Sequence, residues 1–332
     1  MDIQKIYKER FLLEKEYGGG DKPINKTQPL VSVCVITYQH IHLIKDCLEG
    51  ILMQETTFPF EIIIGEDEST DGTREICIDY ANKYPDRIRL FLRNRKTSQL
   101  FDEHGKYICR FNGKWNRESA RGKYIALCEG DDYWIDPLKL QKQVEILEAD
   151  DSLIACFTNA MVKNEITNEE KLYSSKLREG LVPKETILLK GGGIYPTASL
   201  VFKRHNWDNL KFLSLNSLPG DVVLIYGLLA EGDIWFLNEV TCVYRRWIGG
   251  VYSRINYNPK MIALKNIGEI EGYMEFDRLT NFKYHKALKN KISKLCLGII
   301  SHLNIRKSYK YFHRVTVRHY LFFLLRKLKL KQ

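Results

Sequence analysis

The stretch Gly122-Lys123-Tyr124-Ile125-Ala126-Leu127-Cys128-Glu129-Gly130-Asp131-Asp132-Tyr133-Trp134-Ile135-Asp136-Pro137 decides how the chain folds. Its apolar run, Tyr124 to Cys128, predicts a buried strand. Glu129, Asp131 and Asp132 follow at the strand's carboxyl end, around Gly130. Asp136 then suits a helix N-cap and Pro137 a first helical position. In open α/β sheets ligands bind at the carboxyl ends of strands. Three carboxylates crowded there repel one another unless a positive charge sits among them, and a hard divalent cation that also holds phosphate oxygens is the natural occupant. The competing reading, a solvated acidic turn that caps the helix, stays open on these residues alone.

Working outward, Val31 to Thr37 is a β-branched run, apolar almost throughout, as expected of a parallel strand covered on both faces. Leu43 to Met53 has helical spacing, Phe60 to Ile64 predicts a second buried strand, Thr73 to Tyr84 a helix closed by Pro85, and Ile88 to Leu92 a third strand. Residues 93–119 read as a polar, irregular loop, which at that length is functional or disordered. A helix is expected over Pro137 to Ala149. Further on, strands are expected at Leu153 to Met161, Ile194 to Phe202 and Ile234 to Tyr244, with a helix at Asp221 to Ala230. Alternating strands and helices imply an α/β fold, a doubly wound, mostly parallel, Rossmann-like sheet. Residues 1–29 read as a charged N-terminal helix and linker, 30–255 as the α/β domain, and 256–332 as a basic helical extension.

The strand ends carry the chemistry. Thr37-Tyr38 closes the first strand, where a tyrosine ring can stack on a nucleobase. Glu66-Asp67-Glu68-Ser69-Thr70-Asp71-Gly72-Thr73 closes the second. Ser69 to Asp71 can cap the next helix, but that leaves Glu66 and Asp67 unexplained; a carboxylate there can accept a hydrogen bond from a base N–H or a ribose hydroxyl. Neither G-x-G-x-x-G nor G-x-x-x-x-G-K-[ST] occurs, so bound phosphates would need a metal.

The chain has 332 residues and eight scattered cysteines without a C-x-x-C pair, which predicts reduced structural thiols in a cytosolic protein. The N-terminus lacks the apolar core of a signal peptide, and no run reaches the ~20 apolar residues that span a bilayer. A soluble or peripheral protein is expected. Residues 256–332 hold seventeen Lys or Arg against four Asp or Glu, a net of +13; with +10 for the whole chain, residues 1–255 carry −3. Such asymmetry points to a polyanionic partner. The segment from Tyr309 to Lys329 reads as a basic amphipathic helix suited to an anionic membrane surface. Nucleic acid is the rival partner and ranks last; packing on the core or in a homo-oligomer is the plainest reading.

Taken in order, Val31 to Tyr38, Glu66 to Thr73 and Gly122 to Trp134 resemble the motifs of family 2 glycosyltransferases of the GT-A fold, notably bacterial surface-polysaccharide enzymes. The resemblance covers roughly residues 30–255. It implies a nucleotide-sugar donor, UDP-linked, a glycan or lipid-linked acceptor, and Mn2+ or Mg2+. It assigns Thr37 and Tyr38 to the nucleotide pocket and Asp67 to the base. Glu129-Gly130-Asp131 takes the place of D-x-D, with Asp131 on the metal and Glu129 on ribose or metal. Arg121 and Arg245 are implied as donor contacts, with Arg246 an alternative to Arg245. Asp221 is implied as the general base of an inverting displacement; as a residue it equally suits an N-cap. An enzyme at the inner face of the cell membrane follows. Three positions depart from the pattern: Glu129 stands for Asp, Glu68 for a common Gly, and Trp247 for a His. A nucleotide-sugar-binding or membrane-adaptor protein without chemistry, and a sugar nucleotidyltransferase, are the alternatives; the second lacks the expected glycine-rich basic loop after the first strand.

Overall fold

The computed structural model describes residues 2–105, 107–204, 217–249 and 259–302. The elements run α1 (Ile3–Phe11), β1 (Val31–Thr37), α2 (Ile44–Leu52), β2 (Phe60–Asp67), α3 (Thr73–Lys83), β3 (Ile88–Arg93), α4 (Arg95–Ser98), β4 (Gln99–Phe101), β5 (Tyr107–Arg110), α5 (Asn112–Glu118), β6 (Tyr124–Glu129), β7 (Tyr133–Trp134) and α6 (Lys139–Ala149). They continue with β8 (Leu153–Asn164), β9 (Glu170–Leu172), β10 (Gly180–Leu181), α7 (Lys184–Lys190), β11 (Val201–Lys203), α8 (Gly220–Glu231), β12 (Asp233–Arg246), α9 (Pro259–Leu279) and α10 (His285–His302).

The chain forms two compact units. The first takes in Met1–Val182, Tyr195–Asn209 and Glu231–Gly250; the second takes in Pro183–Ile194, Leu210–Ala230 and Val251–Gln332. The first unit holds the main sheet, in the order β10-β12-β8-β11-β6-β1-β2-β3, with β7 on β12 and β9 on β8. β1, β2, β3 and β6 pair in parallel, as do β8 and β12, whereas β11 runs antiparallel between β6 and β8. The expected doubly wound, mostly parallel sheet is therefore present.

The β-branched runs build its core. Val31, Val33, Val35, Ile62, Ile64 and Ala126 are fully buried, and Ile44, Cys47, Leu48 and Ile51 of α2 pack in the same cluster. Each Val, Leu or Ile side chain among them contributes roughly 1.5–3 kcal/mol by leaving water. Gly50 of α2 lies against Trp134, where an added Cβ would come within 2.7 Å of the Trp134 carbonyl oxygen, so the helix can sit this close only as glycine. All eight cysteines are free and buried.

The segment 93–119, expected as an irregular loop, is instead built of α4, the β4–β5 hairpin and α5. A polar layer holds α5 to the sheet: Asn116 Nδ2 donates to the carbonyls of Val35 and Ile63, and Asn112 Nδ2 to that of Gly65. The expected strand Ile194 to Phe202 also differs. Short 3-10 turns occupy Gly191–Ile194 and Thr197–Ser199, and only Val201–Lys203 is strand. Pro196 has no N–H for a ladder, and Ser199 Oγ bonds back to its carbonyl at 2.7 Å.

The second unit is helical. Tyr226 of α8 packs on Tyr273 and Phe276 of α9, with ring centroids at 5.9 and 4.7 Å. Lys291 of α10 donates to the Leu188 carbonyl at the end of α7 and to Tyr226 Oη. Among the described residues no helix is long and apolar enough to cross a membrane. The basic segment from Tyr309 lies outside the described residues, as does Gly250.

Candidate active site

Parallel pairing puts the carboxyl ends of β1, β2 and β6 on one edge: Thr37 lies opposite Glu66, and Ile36 opposite Glu129. Five sequence-predicted residues, Thr37, Tyr38, Asp67, Glu129 and Asp131, are thereby gathered in the first unit.

The loops after β1 and β2 are laced together. Gln39 adopts a left-handed φ of 58° and exchanges side-chain bonds with the backbone and hydroxyl of Thr70. The His40 N–H donates to Thr73 Oγ1 at 2.8 Å, and the Ile41 N–H to Asp71 Oδ2 at 3.0 Å. Asp71 Oδ1 accepts from the Thr73 N–H and hydroxyl, so it anchors the start of α3. Partial burial opposes ionisation of Asp71, but these bonds win and hold its carboxyl below the usual range.

Besides Asp71, two more of the acidic residues around the end of β2 have structural partners. Glu66 is fully buried, paired with Arg74, and accepts the Ser69 N–H. Glu68, at φ 63°, occupies the left-handed region that favours glycine and accepts from the Arg95 N–H and Asn94 Nδ2. Asp67 is different. It is buried, its Oδ1 accepts from Ser98 Oγ at 2.5 Å, and its Oδ2 faces Arg95 Nη1 at 3.0 Å. The Arg95 guanidinium carbon stands 3.7 Å over the Tyr38 ring. Arg95 thus covers the ring face and the carboxylate to which the sequence assigns a base; nothing in the sequence singled it out, because its role depends on the four-residue helix α4.

At the end of β6, Gly130 donates to the Ile36 carbonyl at 2.9 Å. A Cβ on it would lie 2.7 Å from Thr37 Oγ1 and 2.9 Å from His40 Nδ1, so only glycine permits this approach. The three carboxylates then diverge. Asp132 is buried and accepts the Arg245 N–H at 2.9 Å; burial, and then the charges of Asp131 and Glu129, push its carboxyl well up. Glu129 is half-buried at the sheet edge. The Asp131 side chain is 26% exposed; its Oδ2 accepts from Trp247 Nε1 at 3.1 Å and lies 4.0 Å from His40 Nε2.

Two residues expected as donor contacts have other partners in the structure. Arg121 precedes β6, at the opposite edge of the sheet from Asp131. Its guanidinium bonds Glu61 Oε2 at 2.7 and 2.9 Å and the Ile24 carbonyl, so it braces the amino ends of the strands. Arg245 alternates inward along β12. Its side chain is buried, bonds Asp46 Oδ2 at 2.9 Å and stacks on Tyr133. Only its backbone N–H reaches the acidic turn.

Asp221 belongs to the second unit, as the second residue of α8. Its carboxylate is seated on the turn after α7: a Cβ on Gly192 would fall 1.7 Å from Asp221 Oδ2.

Among the described residues no group of three or more His, Cys, Asp or Glu could hold a metal. A magnesium-like ion needs only one or two protein oxygens and takes the rest from water and phosphate. The partly exposed Asp131 carboxylate, with Glu129 two residues away, fits that demand.

Residues 32–100 match the family model described as glycosyl transferase family 2. An uncharacterised protein of Mycobacterium tuberculosis is 33% identical over 223 residues, 67% of this chain and 60% of that protein. A putative teichuronic acid biosynthesis glycosyltransferase, TuaG of Bacillus subtilis, is 34% identical over 120 residues, 36% of this chain and 42% of the relative. The chain thus spans less than two thirds of these relatives. The crystal structure of S. aureus TarS residues 1–349 with UDP-GlcNAc superposes with a TM-score of 0.53 at 16% identity, over 87% of this chain and 82% of that one, which establishes a shared fold. With the three motifs in order at one sheet edge, residues 32–100 match glycosyl transferase family 2, and the chain shares its GT-A fold with TarS.

Proposed function

We propose that the chain transfers a sugar from a nucleotide donor, UDP-linked, to a hydroxyl of a glycan or lipid-linked acceptor in surface-polysaccharide synthesis. The observation that carries this reading is the placing of Tyr38, Asp67 and Asp131 on one sheet edge, at the ends of β1, β2 and β6. Tyr38 offers a ring face for a base, and Asp67 a buried acceptor for a base N–H. Arg95 must yield the Tyr38 face or share it, since its guanidinium already stands there. Asp131, with Glu129, would hold Mn2+ or Mg2+, and the chemistry the ion supplies is neutralisation of charge on the leaving diphosphate.

The reaction is a single in-line displacement with inversion. The acceptor oxygen bonds to the sugar's anomeric carbon as the bond from that carbon to the diphosphate oxygen breaks. UDP leaves with the electron pair, and Asp221 takes the acceptor's proton as general base. TuaG, by its name a glycosyltransferase of teichuronic acid biosynthesis, supports the surface-polymer assignment. The basic region from residue 256 is assigned to an anionic membrane surface at the cytoplasmic face, where a lipid-linked acceptor resides.

The test is donor turnover by the full chain with Mn2+. Asp131→Asn should abolish release of nucleoside diphosphate, and Asp221→Asn should bind donor but transfer poorly. Undiminished release by the first refutes the metal role; near-normal transfer by the second refutes the base. Metal-dependent donor hydrolysis by the wild type excludes the non-catalytic reading. Flotation with phosphatidylglycerol vesicles tests the tail: failure to float refutes the membrane assignment.

A further inference from the structure

We propose that the turn between α9 and α10, Asn281-Phe282-Lys283, is the point at which this chain enters an anionic phospholipid surface, with the Phe282 ring in the headgroup layer; this rests on the membrane assignment of the basic region. The backbone at the turn is unusual. Asn281 and Phe282 both adopt left-handed φ values, 50° and 60°. Asparagine tolerates that region, but a bulky side chain there is strained. The Phe282 side chain gains little packing in return, since the residue is 61% exposed and its ring meets the exposed His285 imidazole edge-on at 6.1 Å. Tyr284, two residues on, turns inward instead and stacks on Phe276 at 5.9 Å.

The turn is held firmly by other groups. The Phe282 N–H donates to the Asp277 carbonyl at 2.8 Å, the Asn281 N–H to that of Arg278 at 3.1 Å, and the His285 N–H to that of Phe282 at 3.2 Å. Asp277 Oδ2 lies 2.7 Å from His285 Nδ1, which ties the two helix ends across the turn. These bonds would form equally with asparagine or glycine at position 282, and with less strain. A large apolar ring therefore stands in water where neither the backbone nor the core requires it.

Its neighbours are cationic. From Arg278 to His302 the chain has six Lys or Arg and no Asp or Glu. Arg278 is paired with Glu275, and Lys291 donates to Leu188 and Tyr226, whereas Lys283, Lys286, Lys289 and Lys294 are exposed. An aromatic ring at headgroup level with lysines beside it matches the chemistry of an anionic bilayer surface. A specific protein interface buries about 800 Å² on each partner, far more than one ring supplies. A lipid layer accepts a single ring and lets the long lysine chains reach phosphates around it.

The experiment measures co-sedimentation of the full chain with phosphatidylglycerol vesicles, with phosphatidylcholine vesicles as the neutral reference. Wild type should bind the anionic vesicles more tightly. Phe282→Asn should weaken that binding by about 10-fold, and Lys283→Gln and Lys286→Gln by about fivefold each. Thermal unfolding separates this from a structural role: Phe282→Asn should be at least as stable as wild type, because asparagine suits the left-handed backbone. A lowered Tm in that variant means the ring supports the fold, and overturns the proposal. Equal vesicle affinity of wild type and Phe282→Asn overturns it too, while leaving the membrane assignment to other residues of the basic region; if the variant instead loses affinity for duplex DNA, the turn belongs to nucleic acid. No binding of wild type to phosphatidylglycerol overturns the membrane assignment itself and this proposal with it.

Discussion

Replacing Gly192 by alanine disturbs the proposed base without touching it. The backbone of Gly192 lies outside the left-handed region, so alanine meets no conformational penalty there. The obstacle is space: the new Cβ would stand 1.7 Å from Asp221 Oδ2 and 2.3 Å from its Cγ. Ordinary carbon–oxygen contact begins near ~3.2 Å, so the carboxylate must retreat by about 1.5 Å, at a packing cost of roughly 1–3 kcal/mol. A misplacement of about 1 Å in a reacting group costs on the order of 100-fold in rate. Transfer by Gly192→Ala should therefore fall about 100-fold in kcat, with donor affinity unchanged, since Asp67 and Asp131 belong to the other unit. Gly193→Ala is the control, because nothing lies within 4 Å of a Cβ there. The assay is steady-state sugar transfer with calorimetric donor binding. Equal kcat in the two variants would refute the assignment of Asp221, since a base that tolerates displacement is not the base.

Lys139 is fully buried, with Gln143 Oε1 2.7 Å from its Nζ, and burial pushes its pKa from 10.5 down to about 8. Below pH 8 both folded and unfolded chains hold the proton and the fold bears the penalty; from about 8 to 10.5 only the unfolded chain does, so stability rises with pH. Lys139→Met should stabilise the protein by on the order of 2–3 kcal/mol at pH 7, with the gain fading towards pH 10.5, as read by urea unfolding; a pH-independent gain contradicts this. Asp71→Ala should cost ~1–2 kcal/mol, because it strips the Thr73 and Ile41 N–H groups of their acceptor. That contribution is present above the usual carboxylate range and is lost as pH falls through the lowered pKa of Asp71, so the variant's deficit should shrink in acid. Arg95→Met should leave the Tyr38 ring uncovered and raise its fluorescence response to added UDP; an unchanged response sinks the view that Arg95 occupies the base face.

The sheet was legible because its strands are runs of Val and Ile that satisfy one rule, burial on both faces, and Val31 to Thr37 and Phe60 to Asp67 obey it along their length. The acidic turn was legible for the same reason: a charge directly after such a run has to face the sheet edge. Side-chain direction was not. Arg121 and Arg245 flank the right motifs, yet the Arg121 guanidinium bonds Glu61 at the other edge of the sheet and that of Arg245 bonds Asp46. Residues 93–119 hid their structure because α4, β4 and β5 are each four residues or fewer, too short for a period to show. What fixes α5 there is Asn116 bonding strand carbonyls, a tertiary contact with no sequence pattern. His40 and Trp247 lie more than eighty residues from Asp131 and meet it only once the loops fold.

The central claim is that a nucleotide sits across the ends of β1, β2 and β6. Calorimetric titration of UDP into the full chain with Mn2+ tests it most directly, in the wild type and in Asp67→Asn. Asp67→Asn removes the charge that Arg95 and a base N–H share, so affinity should fall by about 10–100-fold, the range expected for a lost hydrogen bond to a charged group. Saturable binding in the wild type and that loss in the variant are the predicted result; no binding of UDP, or equal affinity in both proteins, would contradict the account.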